Sequence, residues 1–145
     1  MNTNTPTVVS ITKDERGQAM LEFTGSIILF VLLYLFLITI GLRIADYSAV
    51  QKVARDAGRE ATITGNMNDG YYKAQETAWM WHLDPNKLSV YLSTSQAGQR
   101  NLVTSEVNYR SSPFARMFPT LVGQEPVDEK ELTGQATFGW WDFEN

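Results

Sequence analysis

The 145-residue chain has no cysteine and a single histidine, His82. Without thiols it forms no disulfide and has no thiol chemistry, and its redox compartment is not readable from the sequence. With one histidine and no cysteine, a Cys–His catalytic pair and a histidine-rich zinc site within one chain are both excluded. A Ser-His-Asp triad would have to use His82, which helical periodicity places between Trp81 and Leu83, where a packed or capping role fits better. No GxxxxGK or GxGxxG phosphate loop occurs. No dense basic patch occurs either, so nucleic acid is not expected as a partner. The expectation is a protein that is not an enzyme and uses no cofactor or metal. The acidic segment Glu125, Asp128, Glu129, Glu131 offers oxygen ligands for calcium, but its spacing matches no EF-hand and Lys130 interrupts it. It reads as a solvated loop.

Charge is missing altogether from residues 23–42, a run of 20 residues. At about 1.5 Å per residue, a helix of this length spans about 30 Å, the hydrocarbon thickness of a bilayer. The run is too long for a secretory signal, whose apolar region is about 7–15 residues and precedes its cleavage site. A charged cluster, Lys13-Asp14-Glu15-Arg16, stands before the run and ends in Gly17. The first 12 residues are polar and threonine-rich and read as a disordered leader. Between leader and run lies one carboxylate, Glu22. A carboxylate at the edge of an apolar helix is costly to bury and marks a function.

The motif Gly17, then Gln18-Ala19-Met20-Leu21, then Glu22-Phe23, leading into an apolar helix, resembles a type IV prepilin peptidase site. The string RGQAMLEF is similar to the opening of the TadE-like family, pilins and pseudopilins of the tight-adherence (Tad) pili. VARDAGREA, from Val53 to Ala61, resembles the Ala/Arg/Gly-rich helix end of those proteins, and ELTGQATF, from Glu131 to Phe138, their closing strand. The proline that many relatives carry shortly after the Glu-Phe pair is missing here. The resemblance implies cleavage between Gly17 and Gln18 by a prepilin peptidase. It also implies an assembly role for Glu22 and Phe23, with the Glu22 carboxylate pairing with the terminal amine of a neighbouring subunit. Its further implications are an N-terminus in the cytoplasm, a single span of the inner membrane, an extracytoplasmic body, and partnership with other pilin subunits, the pilus assembly machinery and membrane lipid. The implied function is a minor pilin or pseudopilin that takes part in building Tad pili for surface adherence. The chain left after cleavage is too long for a major Tad pilin. An uncleaved single-span protein displaying a small binding or adhesion domain is the alternative.

The formal net charge is −4, made up of 0 over residues 1–17, −1 over 18–42, +1 over 43–64 and −4 over 65–145. The leader carries two basic residues, whereas Arg43, Lys52, Arg55 and Arg59 follow the apolar run. Counting Lys and Arg alone favours the C-terminus inside. The resemblance implies the opposite, and pairing on the helix surface accounts for the four basic residues, which stand beside acids.

Three segments are expected: a leader (residues 1–17), an apolar helix (18–42) and a body (43–145). Val50, Val53, Ala54, Ala57 and Ala61 form one helical stripe, so the helix is predicted to continue to Thr64 and stop at Gly65-Asn66. The small-residue stripe suits packing on the body's own sheet, and also packing against subunits in a filament. A second helix is predicted with Asn68 or Asp69 as N-cap, Tyr71, Ala74, Ala78 and Trp81 on one face, and its end at Asp84-Pro85. Leu88, Val90 and Leu92 alternate as a strand, and Gln96-Ala97-Gly98-Gln99 turns. Val103, Ser105, Val107 and Tyr109 share a face of a second strand, and Leu132, Gly134, Ala136 and Phe138 alternate as a third. Residues 111–126 read as a long loop with one helical turn around 114–117. The expected fold is α+β: a long helix, a second short helix and a small three-stranded antiparallel sheet. Trp140 and Trp141 point to opposite faces of a strand, so together with Phe143 they offer a possible partner surface.

Overall fold

The structure, a computed structural model, describes residues 15–98, 100–118 and 128–141, with side chains except at 15, 16, 140 and 141. The expected leader over residues 1–14, Glu125 and Phe143 lie outside the described residues, as do the side chains of Trp140 and Trp141. Helix α1 is Glu15–Thr64 and α2 is Met67–Met80; a 3-10 turn, Pro85–Lys87, leads into β1, Leu88–Ala97. Strand β2 is Arg100–Ser111, the five-residue α3 is Pro113–Met117, and β3 is Lys130–Trp141. The strands form one antiparallel sheet in the order β1-β2-β3. The α+β expectation holds, including the uninterrupted first helix. The chain divides into two compact units, Met1–Leu37 and Ile38–Asn145.

In the first unit the described side chains of α1 are exposed almost throughout, Phe23, Leu29 and Phe30 among them. A helix apolar all round and exposed over its described residues suits a medium other than water. Among the described residues α1 is the one helix long and apolar enough to cross a membrane.

In the second unit the stripe Val50, Val53, Ala54, Ala57 and Ala61 is fully buried. It packs in one core with Ala74 and Ala78 of α2, Leu83, and Val107 and Tyr109 of β2. The reading in which the stripe packs on its own body is the observed one. Each buried valine contributes about 1.5–3 kcal/mol. Small residues let the layers come close. A Cβ on Gly134 of β3 would stand 2.8 Å from the carbonyl oxygen of Val50, so the sheet approaches the backbone of α1 at a position that only glycine fits.

Two boundaries of α2 differ from expectation. Its N-cap is Asn66, whose side chain accepts from the Asn68 N–H at 3.0 Å. Gly65, at φ +67°, ends α1, so the two residues between the helices serve as stop and cap in turn. At the other end α2 stops at Met80, short of Asp84-Pro85. His82 takes the left-handed conformation, φ +56°. Its N–H donates to the Trp79 carbonyl at 3.1 Å, and the Leu83 N–H donates to the Ala78 carbonyl at 3.0 Å. This pair of bonds is the Schellman closure, in which glycine is the usual left-handed residue. The turn buries Leu83 and leaves Trp81 exposed, so Trp81 and Tyr71 are not on the buried face, which is Gly70, Ala74, Thr77 and Ala78. A side chain in the left-handed region costs about 1–2 kcal/mol. His82→Gly is therefore expected to raise stability by about 0.5–1 kcal/mol after glycine's own entropy cost, measured by thermal unfolding in detergent.

The hairpin is tighter than expected. Ala97 pairs with Arg100, leaving a two-residue loop with Gly98 at φ +64°. The helical turn expected around residues 114–117 is α3.

Candidate functional site

The residues singled out for processing and assembly all lie on the first three turns of α1. The helix begins at Glu15, so the bond between Gly17 and Gln18 sits in its first turn, where opening the helix breaks the fewest backbone bonds. Gln18 and Glu22 are four apart and face each other. The Gln18 side-chain amide donates to Glu22 Oε1 at 3.1 Å. Ser26 Oγ donates to the Glu22 carbonyl at 2.8 Å, an interaction of the next turn. Gln18, Glu22 and Phe23 are all exposed. An exposed pair at this spacing is worth about 0.2–0.5 kcal/mol, too little to hold the carboxylate against a charged partner. The arrangement therefore presents an accessible carboxylate one turn from the position that cleavage would turn into a free amine.

Trp140 and Trp141 are paired in backbone register with Asn101 and Arg100, at the hairpin end of the sheet. Their side chains, and Phe143, lie outside the described residues. The structure exposes Trp79, Met80 and Trp81 at the end of α2.

A charged junction escaped the sequence reading. Asp46 of α1 is buried. Its Oδ2 accepts from Ser111 Oγ at 2.6 Å and its Oδ1 from Arg116 Nη2 at 3.2 Å. Asp128 accepts the backbone N–H groups of Phe114 at 2.7 Å and Ala115 at 3.4 Å, capping α3. Arg43 Nη2 donates to the Asp128 carbonyl oxygen and stands 3.9 Å from its carboxylate. So Asp128 is not part of a solvated loop: its oxygens are taken by α3 and Arg43. Among the described residues no cluster of three or more metal-ligating side chains occurs. Arg43 is also an exception to pairing on the helix surface, which Lys52 follows with Asp56 at 3.0 Å. The available sequence signal was Arg43 and Asp46, one turn apart just after the apolar run. Their partners lie too far along the chain for spacing to reveal them.

Two groups of the body titrate away from their ordinary values. Burial raises the Tyr109 phenol, against a backbone hydrogen bond with Asp84, and the hydrogen bond and charge of Glu76 raise Lys73. A groove of about 440 Å³ lies between α2 and β1, with Tyr71, Ala78, Trp79, Leu83, Leu88 and Val90 in its walls. Among the described residues Tyr71 is the single ionisable one lining it.

No curated protein and no solved structure is significantly similar to the chain. The family model described as TadE-like protein matches residues 17–59. The match takes in Gly17, Gln18, Glu22, Phe23 and residues 53–59 of the Ala/Arg/Gly-rich stretch, but not the closing-strand motif of β3. The resemblance seen in the sequence thus holds over the N-terminal part of the chain, which is TadE-like from Gly17 to Arg59.

Proposed function

We propose that the chain is a minor pilin or pseudopilin of a Tad pilus, anchored by α1 in the inner membrane with its N-terminus in the cytoplasm and its body outside. It is a structural subunit, not an enzyme. The observation that carries this reading is the TadE-like match, which begins at Gly17 and takes in Glu22, the lone charge on an otherwise uncharged stretch of exposed helix. On this reading a prepilin peptidase cuts between Gly17 and Gln18. The apolar stretch then packs among the helices of other subunits, and the body stands at the filament surface. The assembly machinery in the inner membrane is the second partner, and adherence is the purpose of the filament.

The test is the mass of the chain isolated from membranes. The expected product starts at Gln18 and lacks 17 of the 145 residues. A free terminal amine has an ordinary pKa of about 7.7–8.0 and is largely charged at neutral pH. An N-terminal glutamine that cyclises loses one ammonia and that charge, so the same spectrum reports whether a cation is available to Glu22. Recovery of the full-length chain alone would favour the uncleaved display protein.

A further inference from the structure

The half-buried cations of the body are not compensated alike. Arg43 stands by the Asp128 carboxylate, and Lys73 by that of Glu76. Lys87, in the 3-10 turn before β1, is half-buried too. Among the described residues no carboxylate stands within ion-pair distance of it. Its ammonium donates instead to Ser112 Oγ at 2.8 Å. That hydroxyl takes up one of three N–H donors and none of the charge. An ion withdrawn from water is costly unless it is both paired and hydrogen-bonded. Lys87 is bonded without being paired.

Lys87 lines a pocket of about 250 Å³ together with Asp84, Tyr109, Ser112, Ala115 and Arg116. Donors dominate its walls. Arg116 gives Nη2 to Asp46 at 3.2 Å, and its guanidinium has further N–H groups to offer. Ser112, accepting from Lys87, still has its own proton to donate. Burial raises the Tyr109 phenol, against a backbone hydrogen bond with Asp84, so at neutral pH it remains an O–H. Asp84 is the one carboxylate among the lining residues, and its Oδ1 already accepts the Asn86 N–H at 3.0 Å. Lys87 and Arg116 against that acid leave the walls at +1, within a stretch, residues 65–145, that carries −4. The first N–H groups of α3, those of Phe114 and Ala115, are spent on Asp128, so side chains make this site.

Several converging donors and one surplus positive charge fit a monoanion that only accepts hydrogen bonds. We propose that this pocket binds a carboxylate, its oxygens shared among Lys87, Ser112 and Arg116. An ionised carboxylate has two acceptor oxygens and no donor, and its bonds to cationic N–H groups are the strong, charge-assisted kind. It supplies the counter-charge that Lys87 lacks. A phosphate dianion would bring more charge than the walls offset. The site lies wholly within the body, so its test is independent of the pilin reading and of the membrane span.

The experiment uses the full chain in detergent micelles, with carbon-13 at the ε position of its five lysines. Lys87→Arg assigns the Lys87 signal by its disappearance. Sodium acetate is titrated against sodium chloride at equal ionic strength. The expected result is a saturable shift of the Lys87 signal alone, with acetate and not with chloride. Two blocked peptides then carry the group on a side chain, Gly-Glu-Gly, or replace it with an amide, Gly-Gln-Gly. Saturation by acetate and by the glutamate peptide, but not by its glutamine twin, supports the site and makes its source an acidic protein segment. Saturation by acetate alone supports it with free small acids as the source. No saturable shift with either carboxylate, or the same shift at all five lysines, would overturn it. Thermal unfolding separates binding from folding, because a ligand of the native state raises Tm. Acetate is expected to raise Tm of the parent and of Lys87→Arg, but not of Lys87→Gln. Ser112→Ala is expected to weaken acetate binding about tenfold, the loss of one charge-assisted hydrogen bond. An equal rise in Lys87→Gln would place the acetate elsewhere and overturn the assignment.

Discussion

Glu22→Ala is expected to insert in the membrane and be cleaved nearly as the parent chain is, yet to be missing from assembled pili. The carboxylate sits on exposed helix, where the Gln18 side-chain amide donates to it, so its removal is expected to leave the fold intact. Its value lies in what it meets after cleavage. An ion pair at about 4 Å is worth about 4 kcal/mol at an effective dielectric near 20. Desolvation offsets much of that, so the pair contributes less to net affinity than to register. An unpaired carboxylate in an apolar setting is penalised until an amine reaches it. The Gln18 amine of the same chain is the competing partner, since residues 18 and 22 already face one another within one helix. A terminal amine bound to its own helix cannot at the same time serve a neighbour. Glu22→Asp, one methylene shorter, is expected to fall between parent and alanine variant. Crosslinking to other pilin subunits in membranes, together with counts of pili, decides the matter. Normal crosslinks and normal pilus numbers with Glu22→Ala would remove the intersubunit role and favour an anchored display domain.

Gly17→Val is expected to accumulate as a precursor longer by 17 residues, with little processed chain. A peptidase that cuts before Gln18 must bring the bond into an extended cleft, and the first turn of α1 has to open for it. Glycine has no side chain to obstruct that approach and no preference for staying helical. Valine brings a branched side chain directly before the cut, and branching at Cβ restricts the rotamers with which it could withdraw. The substitution lies outside the 20-residue uncharged run, so insertion is unaffected, and the defect is one of processing alone. Mass analysis of the membrane-bound chain measures it. A Gly17→Val product of the same mass as the processed parent would place the cleavage elsewhere.

The sequence was most informative where physics acts over short distances along the chain. The uncharged run, Glu22 at its edge and the stripe from Val50 to Ala61 each follow from which residues recur on one helix. The structure repeats them, with α1 ending in left-handed Gly65. The alternations Leu88, Val90, Leu92 and Val103, Ser105, Val107, Tyr109 marked strands for the same reason, since a period of two is set by the backbone. The family match falls on the same local stretch, residues 17–59.

Tertiary structure decided what depends on residues far apart. Local signals placed the end of α2 at Asp84-Pro85. The helix stops at Met80 because left-handed His82 turns Leu83 into the core, a gain visible only once the core exists. Asp128 looked like one acid among several in a polar loop, and Arg43 like one base among several on a helix. They meet because β3 returns beside β2 and brings Asp128 to the foot of α1, where Arg43 and the N–H groups of α3 await a carboxylate. Gly134 is silent in a sequence and decisive in the fold, because the separation of sheet and helix is fixed by side chains that neither segment contains alone. Periodicity reports which face of an element is apolar; what lies opposite that face is settled by the packing of the whole chain.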